Sequence, residues 1–152
     1  MGMTARPARV LRGMVAMLAV AIGLGWSVWA AGAGDSFKVR LRPVPIDPAT
    51  RAAITGSGEA TASLEGVKLT LQGSFSGLQS AARAAHLNRG PVRGVRGPKI
   101  HDVSVPAASS GTFTAEVRLT RDEADAVRRG QVYLQIDSEN APEGNLWGWL
   151  LE

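Results

Sequence analysis

Apolar and polar positions alternate along most of this chain. In Phe37-Lys38-Val39-Arg40-Leu41-Arg42 every second side chain is apolar and the others are cations. That period of two predicts a half-buried strand with one apolar and one cationic face, ended by Pro43. From Glu59 to Phe75 the same period predicts a hairpin. Ala60, Ala62 and Leu64 precede a turn at Glu65-Gly66, Val67, Leu69 and Leu71 follow it, and Phe75 resumes the inward face after Gly73. Later strands are predicted around Phe113, Ala115, Val117 and Leu119, around Val132, Leu134 and Ile136, and around Leu146, Gly148 and Leu150. Residues 43–58 are rich in Pro and then Gly and read as a loop or linker.

One segment breaks the period. Thr120 followed by Glu123 forms a capping-box signature, Asp122, Glu123 and Asp125 favour the positive end of a helix, Arg128 and Arg129 the negative end, and Gly130 stops it. With only Ala124, Ala126 and Val127 as apolar content, the predicted helix over 121–129 is a one-sided crossover. Many short alternating strands and one short helix predict an all-β fold, an antiparallel Greek-key sandwich of immunoglobulin-like or superoxide-dismutase-like type.

Charge changes this picture less than its total suggests. The chain of 152 residues has 17 Lys and Arg against 13 Asp and Glu. Arg6, Arg9 and Arg12 stand before residue 13 with no acid among them, which leaves 14 basic against 13 acidic side chains in the rest. Those arginines precede an uncharged run from Gly13 to Gly34 that ends in small residues, the order of a secretory signal. Cleavage is expected before Gly34, after Ala31-Gly32-Ala33, with Val28-Trp29-Ala30 as an earlier site. The alternative is an uncleaved anchor, since about 20 apolar residues span a bilayer. The expected division is therefore 1–33 as signal or anchor and 34–152 as one domain, secreted or periplasmic, tethered to a membrane only if the first segment is retained. The chain has no cysteine, which excludes disulfides and thiolate metal sites.

Both histidines flank a basic loop, Arg89-Gly-Pro-Val-Arg93-Gly-Val-Arg96-Gly-Pro-Lys99. It lacks the Gly-Lys-Ser/Thr end and following helix of a P-loop, and it lacks aromatics for stacking nucleic acid. The expectation is a mobile connection, with an acidic polysaccharide or a lipid headgroup as its ligand if it has one. His101 and Asp102 are strand neighbours on opposite faces and make no dyad. Nothing resembles a nucleophile elbow, and Glu59, Glu65, Glu116 and Glu143 are scattered.

The order Gly56 to Leu78, Ala84-Ala85-His86-Leu87-Asn88-Arg89-Gly90, short helix, Gly130 to Asp137, and Pro142-Glu143-Gly144 before the last strand resembles the chordin-type (CHRD) domain over roughly residues 37 to 151. The resemblance implies a small β-sandwich-like module of the kind found in extracellular animal proteins that antagonise growth factors and in exported microbial proteins. For the latter it implies no reaction. Members commonly read Ala-His-x-His where this chain has Ala85-His86-Leu87-Asn88, and carry a further His where it has Asp137. If the three imidazoles converge in the family they would suit copper or zinc; here His86, Asn88 and Asp137 would form at most a weak remnant. Members tend toward Gly-Glu-Ile-Arg-Gly-Gln-Leu where this chain has Gly144-Asn145-Leu146-Trp147-Gly148-Trp149-Leu150. Trp147 and Trp149 then share one outward face, either as an apolar patch for a sugar, lipid or protein or covered by the helix, the 43–58 loop or the first strand.

These readings lead to an exported, non-enzymatic module that binds an extracellular or envelope partner (a protein, polysaccharide or lipid surface, and no nucleic acid). Trp147, Trp149, Arg89, Arg93 and Arg96 are its candidate contacts, and no cofactor is expected. The alternatives are a weak metal-binding or redox-related protein using the His86, Asn88 and Asp137 set, with His101 beside it, and a membrane-anchored structural protein.

Overall fold

The computed structural model describes residues 34–45, 48 and 51–152; residues 1–33, expected to be a signal or anchor, lie outside them. Eight strands and one helix follow in the order β1 (Asp35–Pro43), β2 (Ser57–Glu65), β3 (Lys68–Ser76), β4 (Ala82–Arg89), β5 (Lys99–Val103), β6 (Gly111–Arg118), α1 (Arg121–Arg128), β7 (Val132–Ser138) and β8 (Ala141–Trp149). All pairings are antiparallel, and the strands run β5-β4-β7-β8-β1-β2-β3-β6 across one sheet.

That sheet folds over on itself, because side chains from both of its halves enter one core. Phe37, Leu64, Leu71, Phe75 and Phe113 from one half meet Leu87, Leu134, Ile136 and Leu146 from the other. β1 is the corner. It pairs with β2 from Asp35 to Leu41, then turns to β8 through Arg42↔Trp147 and Pro43↔Leu146. The result is an all-β, nearly barrel-like sandwich whose edge strands are β5 and β6. Each buried Leu, Ile or Phe of this core stabilises the fold by roughly 1.5–3 kcal/mol.

The helix forms as its sequence dictates. Thr120 Oγ1 accepts from the Glu123 amide at 3.2 Å, Glu123 Oε2 accepts from the Thr120 amide at 2.7 Å, and Gly130 takes φ +66° just past the end. Ala124, Ala126 and Val127 are buried and join the core.

Several local expectations change. Val67 lies in the two-residue β2–β3 turn, with Glu65 opposite Lys68, because Gly66 supplies the positive φ (+62°) that such a turn needs. Pro142 to Gly144 does not precede the last strand: β8 begins at Ala141, after a turn at Glu139-Asn140. Gly144 sits inside β8 at φ +127°, beside the register shift between Ile136 and Ser138, as expected of a bulge. The described part of the 43–58 segment is packed rather than free. Val44 and Ile54 form a small cluster with Ala141, and Trp147 leans on it. Asn145 Nδ2 donates to the Thr55 carbonyl at 2.6 Å, and Ser138 Oγ donates to Asn145 Oδ1 at 3.0 Å.

Candidate functional site

The face that β4, β7 and β8 turn away from the core is where the chemistry collects. Register aligns His86 with Gln135 and Gln135 with Trp147, and in the next row Asn88 with Tyr133 and Tyr133 with Trp149. In an ordinary half-buried strand the outward residues would be wet. Here Tyr133, Gln135 and Asp137 are all buried, so this face carries a second covering layer.

The covering is the arginine–glycine loop, expected as a mobile connection and here hydrogen-bonded to the strands beside it. It crosses the face and is tied at both ends and in the middle. The Arg89 amide donates to Pro98 O at 3.0 Å and the Gly90 amide to Gln131 O at 2.9 Å. Gln131 Nε2 donates to Pro91 O at 2.8 Å, the Gly97 amide to Tyr133 Oη at 3.2 Å, and Arg96 Nη1 to Glu143 O at 2.9 Å. Its glycines make the close approach possible. A Cβ on Gly97 would collide with the Arg89 carbonyl, and one on Gly90 would lie 2.8 Å from Trp149 Cη2. A buried amide must find a partner, and a loop without side chains at these points can lie low enough to find one.

Beneath it lies an aromatic cluster. Tyr133 stacks edge-on to Trp147 (centroids 5.5 Å apart, 82°) and tilted against Trp149 (4.7 Å, 44°); the indoles are 5.9 Å apart. The Arg96 guanidinium stands 5.9 Å from the Trp147 ring centroid, within cation–π reach. Both indoles are half-buried, so neither is the flat exposed patch that alternation alone allows. Strand alternation puts both on one face, and Gly148 between them lets β8 lie close to β1: a Cβ there would lie 2.6 Å from Arg40 O and 2.7 Å from Val39 Cγ1.

What remains open is a groove of about 500 Å³ between β1 and β8, lined by Lys38, Arg40, Arg42, Arg93, Trp147 and Trp149, with Leu151 and Glu152 at one end. Arg42 lies opposite Trp147, and Lys38 bridges Leu151. Among the described residues none of Lys38, Arg40, Arg42 and Arg93 has a carboxylate within ion-pair distance. Of the five contacts proposed from sequence, Trp147, Trp149 and Arg93 line this groove and Arg96 braces one indole. Arg89 points elsewhere: it pairs with Asp122 at the start of α1, which holds that carboxyl below its usual value. Sequence reasoning missed Lys38, Arg40 and Arg42. Their cationic alternation is visible, but nothing local says that the first strand lies beside the last.

The possible metal set is brought only partly together. His86 Nδ1 stands 3.6 Å from Asp137 Oδ2, and Gln135 Nε2 donates to Asp137 Oδ1 at 2.8 Å. Burial pushes the Asp137 carboxyl above its ordinary value, against the pull of Gln135 and His86. Asn88 lies in the next row, its amide nitrogen buried without a partner. No group of three or more His, Cys, Asp or Glu that could hold a metal ion occurs among the described residues, and two ligands fall short of a tight transition-metal site. His101 is used elsewhere: its Nε2 lies 3.3 Å from Glu123 Oε2. Burial works to raise the Glu123 pKa, but the Thr120 amide, His101 and the Thr120 hydroxyl together hold it below its usual value.

Among the described residues, one antiparallel sheet folded over a main core, one capped helix and a basic groove on the outer face define a small all-β domain of the barrel-like sandwich class. The chain belongs to the CHRD domain family, whose model matches residues 37–150, from β1 to the residue after β8. No curated protein and no solved structure matches it.

Proposed function

We propose that this is an exported module that works by binding rather than by catalysis, and that it binds an anionic partner in the groove between β1 and β8. The observation that carries the reading is the lining: four cations with no carboxylate partner among the described residues converge on two indoles, and Glu152 is the one acid among the lining residues. Like charges gathered around a half-apolar wall repel one another, and an anion relieves that repulsion. Export is supported by the basic start and uncharged run of residues 6–34. A non-catalytic role is supported by what the titratable groups do. His101 braces the Glu123 that caps α1. His86 and Asp137, the one close acid–base pair on the candidate face, have side chains only 14% and 11% exposed.

The test is a titration with two polyanions of different chemistry, a soluble polyuronate and anionic phospholipid vesicles, each against a neutral counterpart. Salt-sensitive binding to either, weakened by Arg40→Glu with Arg42→Glu, is the expected result. Equal binding by that variant, or none by the parent, overturns the proposal.

A further inference from the structure

The groove's rim carries a second feature. Val92 and Val95 are 56% and 46% exposed, the large apolar side chains left in solvent among the described residues. They flank Arg93, which lines the groove, on a loop whose ends are hydrogen-bonded down at Arg89, Gly90 and Gly97. An aliphatic pair raised on a tethered basic loop is poorly placed for folding and well placed to enter an apolar layer.

Resting on the binding reading above, we propose that this face docks on an anionic lipid surface, with Val92 and Val95 entering the headgroup layer while Arg93, Lys38, Arg40 and Arg42 meet the lipid phosphates. Lys38, Arg40 and Arg42 alternate on one strand and therefore form a row about 7 Å apart, a row that can meet several headgroups at once, and basic residues near an anionic bilayer each add to attachment. A stacked sugar is the weaker fit, because the indoles are engaged within the protein: Arg96 stands over Trp147, Gly90 abuts Trp149, and Tyr133 contacts both. The chain itself points the same way. β1 begins at Asp35, directly after the uncharged run that ends at Gly34, so any form that keeps that run holds the cationic strand beside a bilayer.

The chain has no cysteine, so Val92→Cys or Val95→Cys gives one attachment point for an environment-sensitive fluorophore on the full chain. Thr114→Cys, exposed on β6, serves as a control away from the loop. Each labelled chain is mixed with vesicles of phosphatidylcholine alone or with phosphatidylglycerol added, and separately with soluble polyuronate. The expected result is a blue shift and brightening at 92 and 95 with phosphatidylglycerol, none at 114, and loss of the shift in the Arg40→Glu, Arg42→Glu background. A response to polyuronate without one to phosphatidylglycerol vesicles overturns lipid docking and leaves the anion-binding groove standing. An equal shift at 114 means mere proximity and overturns docking by this loop. Silence at every position in both ligands overturns both proposals.

Discussion

β3 and β7 have the same alternating sequence pattern and opposite surroundings. On β3, Leu69, Leu71 and Phe75 are buried while Lys68, Gln72 and Ser76 are exposed, so that strand has one dry face and one wet one. On β7 every residue from Val132 to Ser138 is buried. Its inward face meets the main core, and its outward face meets the indoles and, through the Tyr133 hydroxyl, Gly97 of the loop. Polar groups follow the burial. The orphaned Asn88 amide and the raised Asp137 carboxyl both occur under that cover, where water cannot compensate them. The strip covered on both sides, β7 and the neighbouring end of β4, is therefore where this fold holds its least comfortable groups, and the groove opens at the margin of the same cover.

If the outer layer is a second core, truncating either side of β7 should cost alike. Leu134→Ala is expected to lose about 2–5 kcal/mol and Tyr133→Ala about 3–5 kcal/mol, whereas Gln72→Ala on the wet face of β3 stays within about 0.5 kcal/mol of the parent. Urea unfolding midpoints for the three variants check this. A Tyr133→Ala cost as small as that of Gln72→Ala would reduce the loop to a surface ornament.

The next effect tests the cover without touching the strand. Gly97→Ala puts a methyl into the Arg89 carbonyl, so the loop must lift, with an expected loss of about 1–3 kcal/mol. Hydrogen exchange should show the Arg89 and Gly90 amides, bonded to Pro98 and Gln131, losing protection while amides in β2 and β3 keep theirs. Tyr133→Phe removes only the hydroxyl that the Gly97 amide reaches and should cost about 0.5–1.5 kcal/mol. If both variants leave loop exchange unchanged, the loop is held by something other than these contacts.

How much of this was legible in the sequence follows the same division. Period two locates the inward faces of β1, β2, β3, β6, β7 and the end of β8, and the capping box locates α1, because both signals are local; for β4 and β5 it names no inward face. Whether an outward face is wet is not local. Tyr133-x-Gln135-x-Asp137 reads as a solvent face until the loop from Gly90 to Pro98 is laid over it, and that depends on register between distant segments. The groove is hidden for the same reason. Trp147 and Trp149 stand out as aromatics at polar-facing positions, but their cationic neighbours come from β1, more than a hundred residues away along the chain. The bulge at Gly144 could have been suspected, since a glycine inside a strand pattern often marks one.

The smallest expected effect separates two pulls on one carboxyl. Burial raises the Asp137 pKa, while Gln135 and His86 act to lower it, and the net direction is upward. An unfolded Asp titrates at about 3.9, so with a raised folded value the native state binds the proton more tightly than the unfolded state does. Stability from this group is then full below about pH 3.9 and is lost as pH rises through the folded pKa. Asp137→Asn cannot ionise and escapes that loss. The variant should be the more stable protein at neutral pH, and its advantage should shrink as pH falls toward 4 and vanish below about 3.9, read from thermal midpoints across that range. The opposite trend, with the parent ahead at neutral pH and its lead fading on acidification, would mean that His86 and Gln135 outweigh burial and that this pair is a net tie across β4 and β7.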